Sequence, residues 1–224
     1  MGSFVLEKRL SDVFALAQKG SSRRSRIIDV GSDHGHLAAY AVKYGGFFSC
    51  ICTDIHEAPA RRSEEFLSQN GLSSVSSVYC TNGLTGIDLL ENDTIVMAGL
   101  GGNNIMDIMN EVLPRTSSNI LPTVRFVFQP QKTIEGLREY LCSHGFAIED
   151  ESISMERGIY YPIISAVYDG KGRKLTLKEK YYGPVLLAKE DSDNNVKEYF
   201  LRLQKRHQMW ARGDPEVQKL LEES

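Results

Sequence analysis

Arg26-Ile27-Ile28-Asp29-Val30-Gly31-Ser32-Asp33-His34-Gly35 is a short β-branched run that stops on a glycine and enters a polar loop. The run HLAAYAVKYG (36–45) follows with helical spacing and a closing Gly45. Strand, glycine loop, helix is the opening unit of an open α/β sheet, in which ligands collect at the carboxyl ends of the strands. Outward from it the pattern repeats. FFSCICTDI (47–55) predicts a second strand, and APARRSEEFLSQNG predicts a helix with Pro59 near its start and Gly71 at its end. SVSSVYC (74–80), DTIVMAG (93–99) and TVRFVFQ (123–129) predict three more strands, with helices over 103–113 and 133–145.

Strands alternating with helices over 26–145 imply a parallel, doubly wound sheet. FAIEDESIS (146–154) and IYYPIISAVYD (159–169) then predict two consecutive strands, an antiparallel addition. Pro162 predicts that the last strand is irregular or lies at an edge. Five parallel-type strands plus a strand pair suit the methyltransferase variant of the Rossmann-like sheet better than the six-strand dinucleotide fold. Ahead of this unit, Phe4 to Gln18 has helical spacing, and GSSRR (20–24) is a polar break. Beyond Asp169 the chain turns basic, and Val196 to Met209 predicts an amphipathic helix with Phe200, Leu203 and Trp210 on its apolar side. The expected organisation is a catalytic domain over 1–170 and a basic helical appendage, hairpin or coiled-coil-like, over 171–224.

The 224 residues suffice for one full domain plus such an appendage, and a net charge of −3 at face value opposes nucleic-acid binding. The distribution reverses that reading. Residues 1–28 carry six basic and two acidic groups, 29–169 eight and eighteen, 170–212 eleven and five. An acidic middle is flanked by two basic segments, which are expected to lie beside its open edge. Phosphate-facing candidates are Lys8, Arg9, Arg23, Arg24 and Arg26 in front, and Lys171, Arg173, Lys174, Arg202, Lys205 and Arg206 behind. No run of about 18 apolar residues predicts a membrane span, and MGSFVLEKRL lacks the apolar core of a secretory leader. Cys50 and Cys52 alternate within an apolar strand, which predicts buried free thiols and a cytoplasmic setting.

Four further motifs sit at predicted strand ends. Asp54, 23 residues after Gly31, is placed to accept ribose hydroxyls, or to cap the following helix. Cys80-Thr81-Asn82-Gly83 is either a plain turn or the border of an adenine ring. Met97-Ala98-Gly99-Leu100-Gly101-Gly102 leaves a backbone-lined cleft that suits a flat base. The Gln129 amide in Phe128-Gln129-Pro130-Gln131 can donate and accept at a base edge, or belong to a pre-proline turn. A pyrophosphate cofactor prefers glycine two residues after Gly31, where this chain has Asp33. A carboxylate there repels pyrophosphate and tolerates a sulfonium, which favours S-adenosylmethionine. Asp33-His34-Gly35-His36 also invites a metal reading, but only Asp54 and His56 are obvious additional ligands, so no metal is expected.

Taken in order, DVGSDHGHL, TDIHEAP, TNGL, MAGLGG and FQPQ resemble the bacterial tRNA (adenine(22)-N1)-methyltransferase family, as do LEKRL (6–10) and Tyr182-Gly183-Pro184. The likeness spans most of residues 5–211. Departures are Gly35, His36 and Ala38, where the family often has Ala, Tyr and Pro, and Leu100 and Gln131, where it often has Met and Asn. The resemblance implies that Asp29, Gly31, Ser32, Asp33 and His34 line the methionine end of the cofactor, Asp54 and Ile55 the ribose, and Asn82 and Gly83 the adenine. Ala98, Gly99 and Leu100 would lie between cofactor and target base. Arg9, Gly101, Gly102, Gln129, Tyr160 and Lys205 are the candidate substrate contacts, and the partner would be tRNA. Asp33 is the candidate catalytic group, offsetting the positive charge that adenine gains, or else binding the cofactor ammonium. Tyr160 and Tyr161 are candidates to stack on a base turned out of the tRNA. The alternatives are a methyltransferase with another substrate and a non-catalytic RNA-binding protein. A monomer or weak homodimer is expected.

Overall fold

The computed structural model describes residues 4–19 and 26–223. The GSSRR break and the candidates Arg23 and Arg24 lie outside the described residues. Helix α1 (Lys8–Gln18) precedes β1 (Arg26–Val30), α2 (His36–Tyr44), β2 (Ser49–Asp54), α3 (Glu57–Gln69), β3 (Ser76–Cys80) and β4 (Thr94–Leu100). Helix α4 (Gly102–Val112), β5 (Arg125–Pro130), α5 (Ile134–Ser143) and the strands β6 (Phe146–Glu156) and β7 (Ile159–Tyr168) complete the α/β unit. Helices α6 (Leu177–Tyr182), α7 (Asn194–Trp210) and α8 (Pro215–Glu222) form the C-terminal part.

The seven strands form one sheet in the order β3-β2-β1-β4-β5-β7-β6. The first five run parallel, and β7 and β6 join antiparallel. Strand alternation divides the core into two layers. Ile28, Val30, Ile95, Met97, Phe126 and Phe128 pack with Ile105 and Met109 of α4 and Leu137 and Leu141 of α5. Ile27, Cys50, Cys52, Val96 and Val127 pack on the other face with Val13 and Phe14 of α1, Leu37 and Ala41 of α2, and Leu67 of α3. Each buried Ile, Leu or Phe contributes about 1.5–3 kcal/mol, against at most about 1 kcal/mol for an exposed ion pair such as Lys8–Asp12. The two apolar layers therefore hold the sheet.

Two expectations are corrected, the edge position of the last strand and the burial of Trp210. Strand β7 is interior, between β5 and β6. Pro162 is tolerated because β5 pairing ends at Ile164, so Pro162 pairs only with Ile153 of β6. Gly45 closes α2 as its C-cap, as expected, but at φ −91° it does not use glycine's left-handed freedom, which falls to Gly46 at φ +76°. A Cβ on Gly45 would instead lie 2.5 Å from the Phe14 ring, so close packing of α1 is what calls for glycine there. The C-terminal helices pack together, with α6 and α7 both against α8. Tyr181, Tyr182, Val196, Phe200, Leu203, Val217 and Leu220 form a third apolar cluster, which takes in Ile153 of β6. Trp210, expected on the apolar side of α7, is 48% exposed.

Candidate active site

The glycine loop after β1 is tied to its neighbour strand. Gly31, with φ +72°, and Ser32 both donate backbone N–H bonds to the Thr53 carbonyl, at 2.8 and 3.1 Å. One strand further out, the Thr81 N–H bonds to the Asp54 carbonyl at 2.8 Å, fixing the end of β3 to the end of β2. These ends and helix α4 enclose a cavity of about 460 Å³ at the carboxyl edge of the sheet. Gly31 and Val30 line it from β1, Asp54, Ile55 and His56 from β2, and Asn82 and Gly83 from β3. Leu100 contributes from β4, and Asn104, Asp107, Ile108 and Glu111 from α4.

Asp54 Oδ1 accepts the His56 backbone N–H at 2.9 Å, which orients the carboxylate where the strand ends. The N-cap of α3 is His56, so Asp54 is not itself the helix cap. The glycine of the TNGL turn has φ +57°, and a Cβ there would lie 2.6 Å from Ile108. Backbone is thus brought against the cavity wall where a side chain has no room.

The cavity carries three carboxylates, Asp54, Asp107 and Glu111, and no lysine or arginine lines it among the described residues. Glu111 is held by Thr85, whose hydroxyl donates to Oε2 at 2.7 Å. Such a wall repels a pyrophosphate and suits a cofactor with net positive charge at sulfur. Sequence reasoning placed that selectivity on Asp33. In the structure the Asp33 side chain is 58% exposed, ion-paired with Arg62 and 3.5 Å from His34 Nε2, outside the cavity lining. All four α4 residues were missed. Their signal was present as the helical spacing Asn104, Asp107, Ile108, Glu111 directly after the MAGLGG motif.

The structure brings Gly31, Asp54, Ile55, Asn82, Gly83 and Leu100 together around this cavity. Ser32, hydrogen-bonded to Ser63 at 2.9 Å, and His34, which stacks on His36, are not among the residues that line it. Ala98 and Gly99 form the end of β4, where its register with β5 shifts. Gly101 is the N-cap of α4. Gly102 is closed off, since a Cβ there would lie 2.6 Å from the Thr133 carbonyl oxygen.

Asp29, Arg9 and Gln129 meet on the α1 face. Asp29 is buried, and desolvation pushes its carboxyl up to about 7 against the opposing pull of the Ala38 N–H and the Arg9 charge. Arg9 Nη1 donates to Gln129 Oε1 at 2.7 Å, and its guanidinium lies 5.8 Å from the Tyr161 ring centre. Gln129 is fully buried, so its amide oxygen is committed to Arg9 rather than open to a base. Tyr160 lies on the opposite face, under the Arg202 guanidinium at 4.6 Å, packed against the C-terminal cluster. Lys205 is exposed on α7. Among the other phosphate candidates, Arg26 is paired with Asp93 at 2.7 Å and Arg173 with Asp169.

Strand order, an acidic cavity at the carboxyl edge of the sheet and a carboxylate at the end of β2 fit a class I S-adenosylmethionine-dependent methyltransferase. The solved structure of the Bacillus subtilis M1A22 tRNA methyltransferase TrmK superposes with a TM-score of 0.78 at 26% identity, covering 99% of this chain and 96% of that one. Streptococcus pneumoniae Sp1610 in complex with S-adenosyl-L-methionine matches at 30% identity and TM-score 0.76, covering 97% and 95%. The curated tRNA (adenine(22)-N(1))-methyltransferase of Bacillus subtilis is 28% identical over 211 residues, 91% of this chain and 84% of that protein. The sequence profile of the tRNA (adenine(22)-N(1))-methyltransferase family matches residues 27–218, and the chain belongs to that family. Its reaction is methyl transfer to N1 of adenine 22 of tRNA, with S-adenosyl-L-methionine as cofactor. No helix among the described residues is long and apolar enough to cross a membrane.

Proposed function

We propose that the cavity behind Gly31, Asp54 and Gly83 holds the cofactor and that adenine 22 approaches across the end of β4. The observation that carries this reading is the cavity itself: three carboxylates, no lining lysine or arginine among the described residues, and backbone approached closely at two glycines. Bound S-adenosyl-L-methionine supplies a methyl group activated by positive sulfur. Asp54 accepts the ribose hydroxyls with the carboxylate oxygen that His56 leaves open, and Asn82 borders the adenine. Ile55, Leu100 and Ile108 cover the apolar faces and exclude water. Adenine N1 has an in-plane lone pair, so no residue has to remove a proton before attack, and the protein acts by positioning.

Asp33 is our candidate for offsetting the charge that the target ring gains. Its backbone is in the left-handed region at φ +48°, and Arg62 must swing aside for the carboxylate to act. The alternative role, holding the cofactor ammonium, needs the same movement. Residues 1–170 form the catalytic domain in this reading, and 171–224 form the tRNA-facing appendage, where Lys171, Lys174 and Lys205 are exposed. Free thiols at Cys50, Cys52, Cys80 and Cys142 support a cytoplasmic protein.

The test is incubation with labelled cofactor and unmodified tRNA carrying A22, beside an A22→G transcript. Label is expected in the first only, and no transfer to either overturns the reading. Asp54→Asn is expected to raise the cofactor Kd about 10- to 100-fold in calorimetry, the equivalent of about 1.5–3 kcal/mol for a charge-assisted hydrogen bond. An unchanged Kd removes Asp54 from the site.

A further inference from the structure

A second cavity, of about 260 Å³, lies between the β5–α5 loop and helices α6 and α7. Gln131 and Lys132 line it from the loop, and Tyr199, Arg206, His207 and Trp210 from α7. None of these residues lines the cofactor cavity. The two sites are nonetheless linked, because the Gln131 side-chain amide lies beside Gly99 at the end of β4. The loop is rigidly placed: Gly102 donates its N–H to the Lys132 carbonyl at 2.9 Å, and Thr133 is held at φ +56°.

The chemistry of this cavity suits one nucleotide. The Arg206 guanidinium lies 5.1 Å from the centre of the Trp210 ring, and Trp210 stays 48% exposed. Arg206 Nε is buried without a hydrogen-bond partner, a donor waiting for an acceptor. Burial, with the Arg206 charge beside it, pushes His207 down to about 4, so its ring is neutral at pH 7. Glu135 is the one carboxylate lining the cavity among the described residues, against two cations. Aromatic and guanidinium planes stack on unpaired bases, while lysine and arginine meet the adjoining phosphate. A volume below the roughly 300–1,000 Å³ of ordinary ligand pockets admits a single ring system.

Resting on the tRNA reading above, we propose that this cavity is a subsite for a nucleotide of the RNA other than the one methylated, its base against Trp210 and its phosphate on Arg206 and Lys132. The subsite would then set how the tRNA is held while adenine 22 is presented across β4.

Trp210 is the only tryptophan of the chain, so its emission reports the subsite directly. The full chain, saturated with S-adenosylhomocysteine, is titrated with unmodified tRNA. Saturable quenching is expected. Arg206→Ala and Trp210→Ala are expected to raise KM for tRNA about tenfold, with kcat and the cofactor Kd within twofold of wild type. Trp210→Phe, which keeps a stacking face, is expected to recover most of the loss. If wild type methylates tRNA but shows no quenching, or if both alanine variants keep the wild-type KM, the subsite falls while the functional reading stands. If wild type transfers no methyl to tRNA, the functional reading falls and the subsite with it. Should Arg206→Ala fail to fold, the Trp210 pair on an exposed ring still decides the matter.

Discussion

At Asp29 a carboxylate sits in the sheet where an aliphatic side chain would pack more cheaply. Burial raises it from 3.8 to about 7. Between those values the folded chain holds a proton that the unfolded chain has released, so stability falls as pH rises through this window. The stabilising proton is fully in place below 3.8 and lost above about 7. Asp29→Asn removes the titration. Urea unfolding at several pH values should show the variant gaining on wild type from acid to neutral pH, and parallel pH profiles would contradict this. Above about 7 the ionised carboxylate faces Arg9, which ties the charge at the base of the glycine loop to α1 and, through Arg9, to Gln129. Residues nominated as separate binding groups thus act on one another first.

Helix α4 is the element that converts a sheet edge into a site. Its apolar stripe of Ile105, Met109 and Val112 enters the core, while Asn104, Asp107 and Glu111 face the cavity. Gly83 sets how closely the end of β3 approaches it. Gly83→Ala forces a side chain at φ +57° and 2.6 Å from Ile108. Strain and overpacking of about 1–3 kcal/mol are expected. Each kcal/mol corresponds to a Tm loss of about 2–4 °C in a domain of this size. Because Ile108 lines the cavity, the cofactor Kd should rise together with the Tm loss. A Tm loss with an unchanged Kd would separate α4 from cofactor binding.

Across the whole molecule, one buried ion pair joins the α/β unit to the C-terminal helices. Arg138 of α5 and Glu151 of β6 are both fully buried, 2.8 Å apart. Arg138 Nη1 donates to the Lys180 and Tyr181 carbonyls, and Glu151 Oε2 accepts the Val185 and Leu186 N–H groups. Glu151→Gln leaves the guanidinium buried without its counter-charge, at a cost of about 3–5 kcal/mol. A lower denaturant midpoint is expected, with earlier proteolysis in segment 170–176. A midpoint equal to wild type would mean that the third apolar cluster alone holds the helices. The two basic segments also meet: Lys19 and Lys189 both bind Asp150. Burial would raise that carboxyl, but the two ammonium groups hold it below its usual range. Part of the positive charge counted along the chain is therefore spent inside the molecule rather than on phosphate.

Local order was legible without coordinates. Period-two and period-3.6 hydrophobicity, with glycines at the strand ends, located every strand from β1 to β7 and the cavity-lining motifs at Gly31, Asp54, Asn82 and Gly83, because such signals depend on residues close in the chain. Strand order was not in that signal, and with it went the position of Pro162. Nor was the partner of a charge legible: Asp33 meets Arg62, and Gln129 meets Arg9 from 120 residues away. The same holds for Gly183, read only as part of a motif. Its φ is +102°, and a Cβ there would lie 2.6 Å from Glu151 and 2.7 Å from Arg138. The sequence by itself determined the class of protein, the strand ends that border the cavity and its basic flanks. Tertiary structure alone decided which carboxylates line that cavity and which charges are already paired, since electrostatic partnership follows distance in space rather than along the chain.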